Sequence, residues 1–147
     1  DGERPFAEHF AGAHRLNGNG ELTGLEWVRE SGRLTTPIGL TNTHSVGIVR
    51  DAIVAAMVGE ADWSLPVVGE TWDGVLNDIN GFHVRAEHVQ QALARVRGGP
   101  VQEGAVGGGT GMICHEFKGG IGTASRVVDE DSGGFTVAVG VQGTTFR

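Results

Sequence analysis

The stretch Phe135-Thr136-Val137-Ala138-Val139-Gly140-Val141 sets Phe135, Val137, Val139 and Val141 on one side and smaller residues on the other. A period of two marks a β-strand with one apolar face. Just before it, the polar cluster Asp129-Glu130-Asp131-Ser132-Gly133-Gly134 has the composition of a hairpin loop, and residues 124–128 supply the preceding strand. Further back, Ile113, His115 and Phe117 alternate with Met112, Cys114 and Glu116, which predicts a strand over 112–117 behind the glycine-dense loop 104–111. Strands therefore dominate the last third.

The first two-thirds carries a different period. Residues 5–13 are read as a short helix, followed by a turn at Asn17-Gly18-Asn19-Gly20. Leu22, Leu25 and Val28, with Trp27 beside them, predict a helix over 22–30 that Ser31-Gly32 stops. Ile38 and Leu40 suit a short extended segment before Thr41-Asn42-Thr43-His44, and residues 46–59 read as a buried helix. Leu65-Pro66-Val67-Val68-Gly69 is apolar and extended, since Pro66 disfavours helix at the residue before it. Residues 86–96 form an amphipathic helix with Val89, Leu93 and Val96 on one stripe, ended by Gly98-Gly99-Pro100.

Helices early and strands late is an α+β or layered α/β pattern. The 147 residues fit one domain, and no repeat is visible. The last strand runs almost to Arg147, and a sheet of so few strands has open edges. More chain or a partner is expected to complete it.

Apolar residues make up 39% and charged residues 20%, an ordinary mixture for a soluble protein. The net charge of -7 argues against a nucleic-acid partner, which calls for a basic face. No apolar run is long enough to span a bilayer. No hydrophobic stretch follows the opening Asp1-Gly2-Glu3-Arg4, so no signal peptide is expected. One cysteine, Cys114, excludes an internal disulfide and suits a reducing, cytoplasmic compartment. Glycine is unusually frequent at 26 of 147 residues, against an average usage of about 7%. It serves tight turns, or the close backbone approach from which main-chain N–H sites are built.

Most chemistries find no pattern. His9 and His14, like His83 and His88, are spaced by five, and no HExxH or paired-cysteine motif occurs, so no metal is expected. Gly107-Gly108-Gly109-Thr110-Gly111 lacks the Lys-Ser/Thr ending of a P-loop. None of Ser31, Ser45, Ser64, Ser125 and Ser132 sits in a GxSxG elbow. Glu70 stands out, because it follows an apolar extended run and precedes Thr71-Trp72-Asp73-Gly74. A carboxylate so placed can receive a cationic group such as a substrate amine, or serve the fold as a helix-end or surface carboxylate.

Four blocks carry a resemblance. They are Leu16-Asn17-Gly18-Asn19-Gly20-Glu21-Leu22-Thr23-Gly24, Pro37-Ile38-Gly39-Leu40-Thr41-Asn42-Thr43, the stretch 65–79, and residues 107–126 with Phe117-Lys118-Gly119-Gly120-Ile121-Gly122-Thr123. Together they resemble the L-aminopeptidase/D-esterase family, which includes D-aminopeptidases and β-peptidyl aminopeptidases. The resemblance implies a four-layer αββα sandwich like that of the N-terminal-nucleophile hydrolases, with this chain as a large-subunit segment truncated at both ends. It also implies a precursor that cuts itself once and frees a serine at the start of a small subunit. That serine attacks the substrate, its own α-amine serving as base, and no cofactor is needed.

The resemblance further assigns roles. Glu70 matches the acidic residue that holds the substrate's amino terminus. Trp72 stands where the family has an oxyanion-stabilising tyrosine, and an indole N–H donates but exchanges no phenolic proton. Thr144, in Val141-Gln142-Gly143-Thr144, stands where the family has an oxyanion asparagine. Loss of one such donor typically costs about 10²–10³ in rate. The nucleophile is absent from this chain. The expectation is an aminopeptidase component acting on peptides, amides or esters, inactive alone, dependent on a small subunit and oligomeric. The alternative is a non-catalytic binding or assembly protein on the same scaffold.

Overall fold

The computed structural model describes residues 7–144. The chain divides into two compact units: the described part of Asp1–Thr71 with Ile79–Gly98, and the described part of Trp72–Asp78 with Gly99–Arg147.

In the first unit, β1 (His9–Phe10) pairs antiparallel with β2 (Arg33–Leu34), and α1 (Leu25–Ser31) lies between them in sequence. The helix expected over 5–13 is corrected: among the described residues, 9 and 10 are strand, while Pro5 lies outside them. Distant partners override the weak local period, for Glu8 pairs with Arg33 at 2.6 Å and the Arg33 guanidinium sits 5.2 Å from the centre of the Phe10 ring. Helix α1 starts three residues later than its apolar spacing suggests. Gly24 is left-handed (φ 72°), and a Cβ there would stand 2.7 Å from the carbonyl oxygens of Leu65 and Pro66. Thr23 is tied to the same segment, donating from Oγ1 to Pro66 O and from N to Val68 O, while Leu22 bridges Gly69. Gly32, also left-handed, ends α1 as expected.

Next come β3 (Ile38–Asn42), a 3-10 turn at Thr43–Ser45, α2 (Val46–Met57) and β4 (Val67–Thr71). The two strands pair in parallel, from Ile38 opposite Val67 to Asn42 opposite Thr71. Parallel neighbours need a crossover, and α2 is that crossover. It packs back on the strands through Val49 and Ile53, which approach Gly39 so closely that a Cβ there would lie 2.9 Å from Val49 Cγ1. Val46, Val49, Ala52, Ile53 and Met57 join Val68 and Val89 in one buried cluster. Each fully buried aliphatic side chain contributes about 1.5–3 kcal/mol. Val89 belongs to α3 (Ala86–Ala94), whose start is closed by His88 Nδ1 accepting the Arg85 N–H at 3.0 Å.

In the second unit, the continuous strand expected over 112–117 is instead a tight hairpin, β5 (Ile113–Cys114) and β6 (Phe117–Lys118). His115 and Glu116 turn it with positive φ (49° and 69°), and neither is the glycine or asparagine that usually marks such a turn. Then β7 (Ile121–Val127) and β8 (Thr136–Gln142) form an antiparallel ribbon, from Ile121 opposite Gln142 to Val127 opposite Thr136. The polar loop between them holds a 3-10 turn at Glu130–Ser132. Strand β7 begins before the expected 124 because residues 121–123 pair with 140–142, and Ile121-Gly122-Thr123 has no alternation to show it in sequence. Phe135, Val137, Val139 and Val141 are exposed, and among the described residues no third strand joins the ribbon.

Candidate functional site

Glu70 is the penultimate residue of β4, opposite Thr41 of β3. Its N–H donates to Glu21 O at 3.1 Å, so β4 is held between β3 on one side and residues 21–23 on the other. Its carboxylate is partly buried, and Oε2 accepts the Thr43 hydroxyl at 2.5 Å. A Cβ built on Gly20 would stand 2.7 Å from the other oxygen, Oε1. The group is thus bracketed by a hydroxyl donor and a glycine. It sits at the carboxyl ends of a parallel strand pair, where open α/β sheets bind ligands. It also lies against the turn that opens α2, whose N-terminal end carries a partial positive charge. A carboxylate offers about four lone-pair directions, so an ammonium can share it with Thr43. The same bond ties β4 to the start of α2 and gives Glu70 a structural role as well.

Trp72 begins the second unit's 72–78 segment, and its indole closes down on Gly74. A Cβ there would lie 2.8 Å from Cζ2 and 3.2 Å from Nε1. Asp73 is buried, accepts from Asn77 Nδ2 at 2.8 Å through Oδ2, and its carbonyl accepts the N–H groups of Leu76 and Asn77. The turn packs against Gly111, where a Cβ would meet Asn77 Nδ2 at 2.4 Å and Asp73 Cβ at 2.6 Å. The glycine-dense loop is braced again by Lys118, whose Nζ donates to the carbonyls of Gly109 and Gly119. Thr144 follows β8, and its neighbour Gly143 donates to Gly120 O at 2.8 Å.

Of the three expected site residues, Glu70 belongs to the first unit, and Trp72 and Thr144 belong to the second. Two contacts of Glu70 escaped the sequence reading. Thr43 and Gly20 lie inside blocks that carry the resemblance, but a bond across 27 positions leaves no trace in local spacing. Among the described residues, no three His, Cys, Asp or Glu side chains gather closely enough to hold a metal, and no helix is long and apolar enough to cross a membrane.

The structure superposes on Burkholderia sp. β-aminopeptidase with a TM-score of 0.91 and 63% identity, over 96% of this chain and 41% of that one. It also matches the L-aminopeptidase D-Ala-esterase/amidase of Ochrobactrum anthropi, described as a prototype serine aminopeptidase and a variant of the Ntn-hydrolase fold. That match has a TM-score of 0.78 and 51% identity, over 86% of this chain and 37% of that one. The fold is therefore a segment of an aminopeptidase scaffold of the N-terminal-nucleophile type. The profile of peptidase family S58 matches residues 3–145, and the chain belongs to that family. The β-peptidyl aminopeptidase BapA of Sphingosinicella microcystinivorans is 54% identical over 136 residues, 90% of this chain and 34% of that protein. The chain spans about a third of the length of the curated relatives it matches.

Proposed function

We propose that this chain is a single-domain segment of the large subunit of an aminopeptidase, in which Glu70 receives the ammonium of the substrate's N-terminal residue. The observation that carries the reading is the Glu70 carboxylate, anchored by Thr43 at the carboxyl ends of β3 and β4. An aminopeptidase must tell a free amino terminus from a blocked one, and a charge-assisted hydrogen bond is roughly twice as strong as a neutral one. The names of the relatives support peptides with an N-terminal β-amino acid as substrates, with amides and esters as further candidates. The nucleophile in this reading is the N-terminal serine of a small subunit, with Trp72 and Thr144 at the oxyanion positions. No cofactor takes part, the location is the cytoplasm, and several subunit pairs assemble.

The test compares the intact protein with its Glu70→Gln variant on β-alanyl p-nitroanilide. The variant is expected to raise KM strongly while melting within a few degrees of the parent. An unchanged KM, or a melting temperature that falls in step with activity, assigns Glu70 to the fold and the amine to another group. This chain purified alone is expected to hydrolyse nothing until the small subunit is supplied.

A further inference from the structure

A second site lies at the other end of α2. The helix has twelve residues, so its C-terminal end is about 18 Å from the Glu70 end. There a cleft of about 330 Å³ opens between Trp27 of α1, Met57 at the end of α2, and the Glu60–Trp63 stretch, with Glu8 on its rim. That volume is at the small end of the range for organic ligands.

Independent features give the cleft one chemical character. Trp27 and Trp63 stand edge to face, centroids 4.8 Å apart and planes at 81°, and Trp63 keeps 57% of its surface open. Glu60 and Asp62 line the cleft with them and form no ion pair among the described residues, whereas Glu8 pairs with Arg33. Met57 O accepts the N–H groups of Glu60 and Ala61 at 3.0 and 3.2 Å, with Gly59 at φ 90°, and this turn fixes the acidic residues at the helix end. That end is the negative pole of α2, and no basic residue occupies its last turn. An exposed tryptophan, two carboxylates and a helix C-terminus all favour a cation.

We propose that this cleft binds a small organic ammonium, a cationic nitrogen on an apolar body, between the Trp63 ring and the carboxylates of Glu60 and Asp62. The site is separate from Glu70 and stands whether or not Glu70 receives the substrate. The experiment uses the intact protein carrying Glu70→Gln, so that the substrate's amine site contributes nothing. Benzylammonium is titrated by calorimetry and tryptophan fluorescence, beside benzyl alcohol and benzoate as neutral and anionic counterparts. Saturable one-site binding of benzylammonium is expected, about tenfold tighter than the alcohol and weakened by salt. Benzoate is expected not to bind. Trp63→Leu, and separately Glu60→Gln with Asp62→Asn, should each weaken the amine about tenfold. All three positions are exposed, and a thermal melt confirms that each variant is folded. Equal binding of amine and alcohol, or binding unchanged in both variants, overturns the proposal. So does the absence of saturable binding, as when a lysine or arginine of the protein itself already fills the cleft.

Discussion

Thr43→Val tests the bond on which the Glu70 site rests. Valine keeps the volume and removes only the hydroxyl that donates to Glu70 Oε2 at 2.5 Å. A hydrogen bond to a charged group contributes about 1.5–3 kcal/mol, and the partly buried setting places this one at the lower end. The substitution should therefore cost about 1.5 kcal/mol in urea unfolding, with an unchanged slope. In a Glu70→Gln background the acceptor is neutral, and the same substitution should cost about half as much. The difference between the two backgrounds isolates the charged part of the contact. If the proposed function holds, Thr43→Val also raises KM for free-amine substrates several-fold, because the carboxylate loses the group that orients it. Equal costs in the two backgrounds, or a negligible cost in both, would refute the reasoning and mean that the hydroxyl donates elsewhere.

Gly39→Ala pushes a methyl group to 2.9 Å from Val49 Cγ1 between β3 and α2. It should destabilise by about 1–2 kcal/mol in denaturant unfolding, since overpacking outweighs the gain from losing a glycine. His115→Asn with Glu116→Gly places the residues that positive φ favours at the β5–β6 turn, and should stabilise by about 1 kcal/mol in the same assay. Glu103 accepts from Thr123 Oγ1 and Thr123 N, and these two bonds, the hydroxyl's first, hold its pKa below the ordinary 4.5. A carboxyl with a lowered folded pKa adds stability above its unfolded value and loses it as pH falls through the folded one. The melting-temperature gap between the parent and Glu103→Gln should thus narrow as pH drops below about 4.5.

The elements that could be read from the sequence are those whose signal is local. Strand β8 shows its alternation, α3 its stripe, and α2 and β4 their apolar runs. The misread parts depend on distant partners. Residues 9 and 10 are strand because Arg33 and Leu34 pair with them. Leu22 leaves the helix because Gly69 takes it as a bridge partner. His115 and Glu116 turn a hairpin with no glycine or asparagine to announce it. The site follows the same division. Glu70 was legible from its place after an apolar run and from the resemblance, whereas Thr43 and Gly20 reach it only through the fold.

The β7–β8 ribbon bears on how the protein must be handled when it is refolded. Thr136–Gln142 carries no charge, no proline and one glycine, and nearly all of it is exposed. Such a segment has the composition of a cross-β core. A hairpin of this kind forms in about 1–10 μs, well before parallel strands whose partners must first be brought together by a helical crossover. When the unfolded chain refolds, its stickiest part is thus ready first, and self-association into aggregates competes with folding of the rest. Refolding yield should fall as chain concentration rises, and a lysine in place of Val137 would shift that competition towards soluble protein.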